Sequence, residues 1–143
     1  MKNLVITVNR RAYHDYAIEK VFTAGLVLTG TEVKSIRLSQ VNLRESYAYH
    51  EKNEIWLYNA HIAKYQPGGI DNHDTTRPRK LLLSRTEINE LIGKSSQKGF
   101  TIVPLRIFIA GHLAKIDIGL GKGKRLYEKK QALIEKQIDR ETR

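Results

Sequence analysis

Two long segments of the chain alternate apolar and polar residues around a turn, and they constrain the fold most strongly. The first, SYAYHEKNEIWLYNAHI (residues 46–62), alternates about a turn at residues 52–54. The second, FTIVPLRIFIAGHLAKIDIGL (residues 100–120), has an Ala-Gly step at residues 110–111 near its turn. Alternation with a period of two is typical of β-strands, and a turn between two such runs predicts a β-hairpin. We therefore expect a fold built mainly from antiparallel strands.

The sequence also predicts a third long strand and two helices. Residues 16–28, YAIEKVFTAGLVL, mix rough alternation with β-branched residues and predict a strand that bends at its Ala-Gly step. Thr31 is predicted to cap a short helix that ends near Leu38. Ser84 and Glu87 have the spacing of a capping box, so a second helix is predicted to begin there.

These elements together predict a mainly β fold, a small antiparallel barrel of the OB type with two or three short helices and a basic C-terminal tail. Such barrels commonly bind single-stranded or structured RNA. We expect the barrel in residues 1–120 and the tail in residues 121–143. The tail has eight Lys and Arg residues against four Asp and Glu, and its apolar stripe is thin. It is therefore predicted to become helical only against a partner.

The charge of the chain indicates a polyanionic partner. Lysine and arginine total 25 residues against 15 of aspartate and glutamate, a formal net charge of +10. This excess predicts binding to nucleic acid or to an anionic membrane face. No apolar run approaches the roughly 18 residues that span a bilayer, and the run before Arg10 is too short for a signal peptide, so we expect a cytosolic protein. The absence of cysteine excludes disulfides, thiol catalysis and a Cys-ligated zinc site.

Two groups of residues have the side-chain types that a metal site or a nuclease site would need. DNHD, residues 71–74 in a loop predicted over residues 66–79, offers oxygen and nitrogen ligands, but no second histidine or acid pair at ligand spacing completes a shell. Nothing requires His14, Asp15, Glu19 and His61 to converge, and a solvated surface position is favoured for them. We therefore expect no metal, no cofactor and no enzyme activity. A metal-dependent nuclease that uses the loop residues is the alternative from another class.

Glu32 is an acid within reach of two cations in a basic chain, and its role is open at this point. A carboxylate in the first turn of a helix is stabilised by the helix dipole, by about 0.3–1 kcal/mol at an exposed site. A carboxylate beside RNA can instead accept hydrogen bonds from guanine or cytosine amino groups. Without an evident acid/base partner, Glu32 is a poor catalyst. We interpret it as a helix-start residue, with an RNA contact as the alternative.

The segment RPRKLLL places Arg77, Arg79 and Lys80 within four positions, directly before three leucines. A solvated basic loop is one interpretation. Beside a barrel face, the same cluster would contact phosphates at several points, with a salt-dependent gain in affinity. The apolar pattern alone assigns residues 81–83 to the core.

Four motifs in order carry a resemblance to a known family: NRRAYHDY (9–16), AGLVLTGTEVKSIR (24–37), NHDTTRPRKLLLSRTEI (72–88) and GLGKGKRLYEKK (119–130). Together they resemble the SmpB family, the bacterial SsrA-binding proteins that partner transfer-messenger RNA. The resemblance implies an OB-type barrel that binds the tRNA-like domain of this RNA. It also implies rescue of stalled ribosomes by trans-translation, without an enzymatic step.

The resemblance also implies the partners. The RNA, charged with alanine and carried by elongation factor Tu, enters the empty decoding site together with the protein. The expected partners are therefore transfer-messenger RNA, the small-subunit rRNA of the ribosomal decoding centre and, through the alanyl-RNA, elongation factor Tu. We expect a monomer without a membrane partner. A generic tRNA- or rRNA-binding barrel associated with ribosomes is the alternative.

The resemblance assigns two sets of contact residues. Leu82 is placed at the RNA-contacting surface, Asn9 and Arg10 are expected just before the first strand, and His14 either stacks on a base or is half-buried at strand entry. The chain departs from the family pattern at Thr23, where many relatives carry an acid. The barrel set is Asn9, Arg10, His14, Glu32, Lys34, Arg77, Arg79, Lys80, Leu82 and Lys115.

The second set lies in the tail and is expected to bind the ribosome. Lysines and an arginine on a glycine-punctuated stretch can follow a phosphate path. The ring of Tyr127 is expected to stack on an rRNA base, an interaction worth about 1–3 kcal/mol. A disordered basic extension with an incidental tyrosine is the alternative. The tail set is Lys122, Gly123, Lys124, Arg125, Tyr127, Lys129 and Lys130.

Overall fold

The computed structural model describes residues 3–124, and this part of the chain is mainly β-strand. The strands are β1 Leu4–Val8, β2 Tyr16–Leu26, β3 Val41–Asn42, β4 Tyr47–Glu51, β5 Glu54–Tyr58, β6 His61–Ile62, β7 Arg79–Leu82, β8 Phe100–Ala110 and β9 Leu113–Gly123. The helices are α1 Arg10–Asp15, α2 Gly30–Arg37 and α3 Arg85–Ser95, with a short 3-10 helix at Gln66–Asp71. None of these helices is long and apolar enough to cross a membrane.

The main sheet closes on itself. Its strands follow the order β8, β4, β5, β7, β2 and β9, and β9 pairs again with β8. Every pairing in this ring is antiparallel, and β1 pairs with residues 106–109 of β8, farther along the strand than the residue that pairs with β4. The short strands β3 and β6 pair separately. The predicted mainly β architecture with an antiparallel barrel is thus confirmed.

Both predicted hairpins are present. The β4–β5 turn consists of Lys52 and Asn53, whose φ angles of 52° and 61° match the turn that suits the right-handed twist of paired strands. The β8–β9 hairpin turns at Gly111, with φ of 64°, and His112. Alternation along each strand sends one set of side chains inward, where isoleucines, leucines and small residues form the core.

Three boundaries differ from those predicted. A strand, β1, precedes Asn9, and a helix begins at Arg10, so these residues do not stand before the first strand. The cap of α2 is Thr29 and not Thr31, because Thr29 and Glu32 form the reciprocal hydrogen bonds of a capping box. Strand β9 continues to Gly123, past the expected barrel boundary at residue 120, because β2 and β8 both extend far enough to pair with it.

The predicted helix at Ser84 is confirmed. The side chain of Ser84 accepts a hydrogen bond from the backbone N–H of Glu87, and the Glu87 side chain accepts one from the backbone of Ser84. Ile88 and Leu91 are the buried residues of this helix, α3, and they join the barrel core. Helix α3 therefore covers part of the barrel, and other parts of the sheet keep an exposed outer face.

Candidate nucleic-acid interface

Glu32 is the centre of a buried group of charges. Its side chain is fully buried, and its Oε1 accepts a hydrogen bond from the backbone N–H of Thr29 at 2.8 Å. The Nε of Arg77 lies 3.2 Å from both carboxylate oxygens, and Nη2 of the same arginine lies 2.5 Å from Oε1. The Nε of Arg79 donates to Oε2 at 2.6 Å. The helix-start interpretation of Glu32 is correct, but the residue also forms ion pairs with two arginines.

Arg79 is as deeply buried as Glu32. Its Nη1 donates to the carbonyl of Ala60 at 2.5 Å, and its Nη2 donates to the carbonyls of Asp74 and Thr75 at 3.3 and 3.1 Å. These bonds connect α2, the loop before β7 and the residue before β6. A guanidinium enclosed in this way is not available to a phosphate. The expected RNA contacts of Glu32 and Arg79 are therefore corrected, and both residues hold the fold together.

The ion pairs of Glu32 determine its protonation. Burial alone would raise the pKa of Glu32, but hydrogen bonds from Arg77, from the Thr29 backbone and from Arg79, with the charge of Arg79, hold the pKa below its ordinary value of 4.5. A carboxyl whose pKa is lowered by folding stabilises the fold above its unfolded-state pKa. That contribution is lost as the pH falls through the folded-state pKa.

We therefore predict a specific acid sensitivity. Below about pH 4.5, the free energy of unfolding of the wild-type protein should fall more steeply with pH than that of Glu32→Gln, which has no titrating group at this position. Urea unfolding of both proteins between about pH 7 and pH 3 measures the two slopes. Identical slopes would show that the Glu32 pKa is the same in the folded and unfolded states.

Asn9 is also buried, contrary to the expected RNA contact. Its Nδ2 donates to the carbonyl of Pro104 at 3.0 Å and to that of Leu43 at 3.4 Å. Its backbone N–H donates to the carbonyl of Leu105 at 2.7 Å. With only 8% of its surface exposed, Asn9 anchors the start of α1 to β8. Its place in a matched motif therefore has a structural explanation.

Arg10 and His14 lie on the exposed side of α1. The side chain of His14 is 85% exposed, and its Nδ1 lies 3.0 Å from Oδ1 of Asp15. The half-buried position expected as an alternative for His14 is wrong, because the residue belongs to a short surface helix and not to a strand. Both side chains are accessible to a ligand.

The outer face of the barrel brings two predicted contact residues together. Leu82 of β7 is paired with Gly25 of β2, and Gly25 is paired on its other side with Lys115 of β9. Lys115 is in turn paired with Phe108 of β8. Leu82 is 54% exposed, whereas Leu81 is fully buried, so the apolar pattern wrongly assigned Leu82 to the core. The strand pleat explains the difference, since neighbouring residues point to opposite faces.

A second row of residues lies beside the first on the same face. Thr23 of β2 is paired with Asp117 of β9, which is paired with Arg106 of β8. The hydroxyl of Thr23 donates to Oδ1 of Asp117 at 2.6 Å, and Nε of Arg106 donates to Oδ2 at 2.6 Å. The sequence analysis missed Arg106 and Asp117. They are equally distant from the turn at Gly111 and His112, so their pairing across the predicted hairpin could have been found from the sequence.

Three further predicted cations differ in their surroundings. Lys34 is exposed, with its Nζ 5.3 Å from the centre of the Tyr65 ring. Lys80 is partly exposed, with its Nζ 4.0 Å from Oε1 of Glu54. The side chain of Arg77 is about one third exposed, but it forms an ion pair with Glu32. Lys34 and Lys80 are therefore more available to an RNA phosphate than Arg77 is.

Part of the predicted tail set belongs to the folded part of the chain. Lys122 and Gly123 end β9, and the Nζ of Lys122 lies 4.7 Å from the centre of the Phe100 ring. Lys124 donates to the carbonyl of Tyr13 at 3.1 Å. The other members lie outside the described residues: Arg125, Tyr127, Lys129 and Lys130.

The loop histidine considered for a metal or nuclease site is a structural residue. His73 is buried, and its Nε2 lies 2.8 Å from the carbonyl of Ile62. A carbonyl can only accept, so Nε2 donates and Nδ1 is left to pair with the hydroxyl of Thr31 at 2.8 Å. Among residues 3–67, 69 and 72–124, a set that leaves out Asp71, no group of three or more potential ligands could hold a metal ion.

Known proteins match this chain over most of its length. A family model described as SmpB protein matches residues 6–143. The chain belongs to the SmpB family. An SsrA-binding protein from Carboxydothermus hydrogenoformans is 50% identical over 137 residues, covering 96% of this chain and 92% of that protein. One from Shouchella clausii is 52% identical over 137 residues, covering 96% and 88%.

A solved structure supports the same family assignment. Its description reads "tmRNA-SmpB: a journey to the center of the bacterial ribosome". The similar chain in it is 46% identical, with a TM-score of 0.70, and the match covers 82% of this SmpB-family chain and 83% of that chain. The resemblance inferred from four sequence motifs is thus confirmed, and most of the length of these relatives is represented here.

Proposed function

We propose that the protein binds the tRNA-like domain of transfer-messenger RNA and delivers it to stalled ribosomes for trans-translation. The observation that carries this proposal is SmpB-family membership over residues 6–143, with relatives named SsrA-binding protein at about 50% identity. The chain's formal charge of +10 suits an RNA partner. The protein acts as an adaptor in the cytoplasm, without a chemical step of its own. Elongation factor Tu joins the assembly through the alanyl-RNA.

The barrel contributes the RNA-binding surface. Structured RNA is recognised through its shape, its phosphates and its unstacked loop bases. Exposed Leu82 and partly exposed Lys115, which share one row across the strands, suit such a target, because the leucine contacts a base or sugar face and the lysine a phosphate. The accessible members of the predicted set supply these contacts: Arg10, His14, Lys34, Lys80, Leu82 and Lys115.

The tail contributes the ribosomal contact in this proposal. Residues 122–130 carry cations for rRNA phosphates, and Tyr127 stacks on a base of the decoding centre. The tail orders in the empty messenger channel, so that folding is coupled to binding. Delivery and RNA binding are then separable functions of one chain.

Tyr127→Ala should separate the two functions. In a reconstituted translation system stalled on a truncated messenger, the wild-type protein should support alanine transfer from the charged RNA. The variant should lose most of this transfer, because a stacking contact of about 1–3 kcal/mol is removed, while its affinity for the tRNA-like domain is unchanged. Tyr49→Ala on the barrel is the matched control and should transfer normally. Normal transfer by Tyr127→Ala would refute the role of this ring.

A generic ribosome-associated RNA-binding protein is the second candidate, since a basic barrel would also suit it. The two candidates differ in what controls their association with ribosomes. A constitutive partner would copurify with ribosomes at a fixed ratio whether or not they are stalled. The rescue adaptor should accumulate on ribosomes only when stalling is induced.

A further inference from the structure

Arg106 is an oriented cation on the same outer face as Leu82 and Lys115. Its Nε donates to Asp117, and its guanidinium carbon lies 5.0 Å from the centre of the Phe108 ring. The side chain remains 37% exposed. Among the residues whose side chains the structure describes (3–67, 69 and 72–124), the bond from Nε is the only hydrogen bond of this guanidinium, so both terminal nitrogens are available to a ligand.

Asp117 lies on the buried side of this arginine and not on its solvent side. Its side chain is only 10% exposed, and its two oxygens are occupied by Arg106 and by the hydroxyl of Thr23. These three residues are paired in register across β8, β9 and β2. The carboxylate therefore holds the guanidinium at Nε, and no described residue accepts a hydrogen bond from its terminal nitrogens.

The surroundings favour a phosphate as the ligand. Lys115 is paired with Phe108, two residues along β8 from Arg106, so the two cations are diagonal neighbours at roughly 7–8 Å between their backbones. Arginine presents two parallel N–H donors that match the oxygens of a phosphate. A guanidinium held by a carboxylate and a ring loses less side-chain freedom on binding than a flexible one.

We propose that Arg106 binds a phosphate of the RNA backbone through its terminal nitrogens, and that Asp117 positions it for this contact. The inference rests on the proposed function, because it adds a contact to the same RNA-binding face. Arg106 and Lys115 then contact neighbouring parts of one RNA strand. Leu82 lies at the end of the row that contains Gly25 and Lys115. Asp117 acts through Arg106 and does not touch the RNA.

Arg106→Gln tests the contact. Titration with the tRNA-like domain should show about tenfold weaker binding, and the slope of log affinity against log salt should shrink by about 0.7–0.9, the effect of one phosphate contact. Arg106→Lys keeps the charge but not the paired donors, so it should recover only part of the affinity. Lys98→Gln, at an exposed turn residue just before β8, makes the same charge change and should have little effect.

The outcomes distinguish this inference from the proposed function. If the wild-type protein does not prefer the tRNA-like domain over ordinary tRNA, the proposed function fails. If the wild type shows that preference and Arg106→Gln binds as well as it does, the Arg106 contact is wrong. Thermal unfolding of each variant identifies any loss of affinity that comes from unfolding.

Asp117→Asn tests the positioning role, because two explanations predict opposite signs. If Asp117 positions Arg106, the substitution should weaken binding, and it should add little to Arg106→Gln in the double variant. If Asp117 merely opposes the RNA charge, removing its charge should tighten binding. Tighter binding, or an additive loss in the double variant, would overturn the positioning role.

Discussion

Glu32→Gln is expected to lower the free energy of unfolding by about 3–5 kcal/mol, the usual cost of breaking a buried ion pair from one side. The substitution keeps the size of the side chain but leaves Arg79 enclosed without a counter-charge. Arg77 loses its partner at the same time. Because these arginines connect α2 to β7 and to the loop before it, the loss should affect the whole barrel. Urea unfolding at neutral pH measures the change.

The control for this substitution is Glu19→Gln. Glu19 is an exposed acid on β2, so replacing it should change the free energy of unfolding by less than about 0.5 kcal/mol. If Glu32→Gln were as stable as Glu19→Gln, the ion pairs of Glu32 with Arg77 and Arg79 would not stabilise the fold. Glu32 would then again be a candidate for contact with RNA.

Leu82→Asp should have the largest effect on RNA binding. More than half of the Leu82 surface is exposed, so the change in the free energy of unfolding should stay below about 1 kcal/mol. The affinity for the tRNA-like domain should fall by about 10- to 100-fold. The substitution removes an apolar contact and places a negative charge next to phosphates. Electrophoretic or fluorescence titration, together with thermal unfolding, measures both quantities.

Leu4→Asp is the matched control for Leu82→Asp. Leu4 is 62% exposed and lies on β1, where it is paired with Ile109 and not with a residue of the row that contains Gly25 and Lys115. It receives the same negative charge and should bind the RNA nearly as well as the wild type. An equal loss of affinity in both variants would mean that only net charge matters, and the outer-face site would be wrong.

The parts of the fold that depend on local patterns could be predicted from the sequence. Both hairpins follow from two-residue alternation around a turn, and α3 follows from its capping box. The cap at Thr29 was missed, although it has the same Thr-x-x-Glu spacing, because Thr31 was considered as the cap instead. Strand β1 was missed because LVITV lacks clear alternation.

The parts of the site that depend on distant pairing could not be predicted in the same way. Glu32 and its two arginines are 45 and 47 residues apart, and nothing local shows that all three meet inside the protein. The basic cluster before Leu81 therefore looked like a surface feature, whereas Arg79 is fully buried. Leu82 was placed on the RNA-contacting surface by the family resemblance and not by its apolar pattern.

The central claim is that the barrel recognises the tRNA-like domain of transfer-messenger RNA, and a competition titration tests it most directly. The labelled domain is titrated with the wild-type protein at two salt concentrations, with ordinary tRNA as the competitor. We predict a clear preference for the tRNA-like domain that survives moderate salt, because shape and apolar contacts add to the phosphate contacts. Equal binding of the two RNAs, lost steeply as salt rises, would contradict the account.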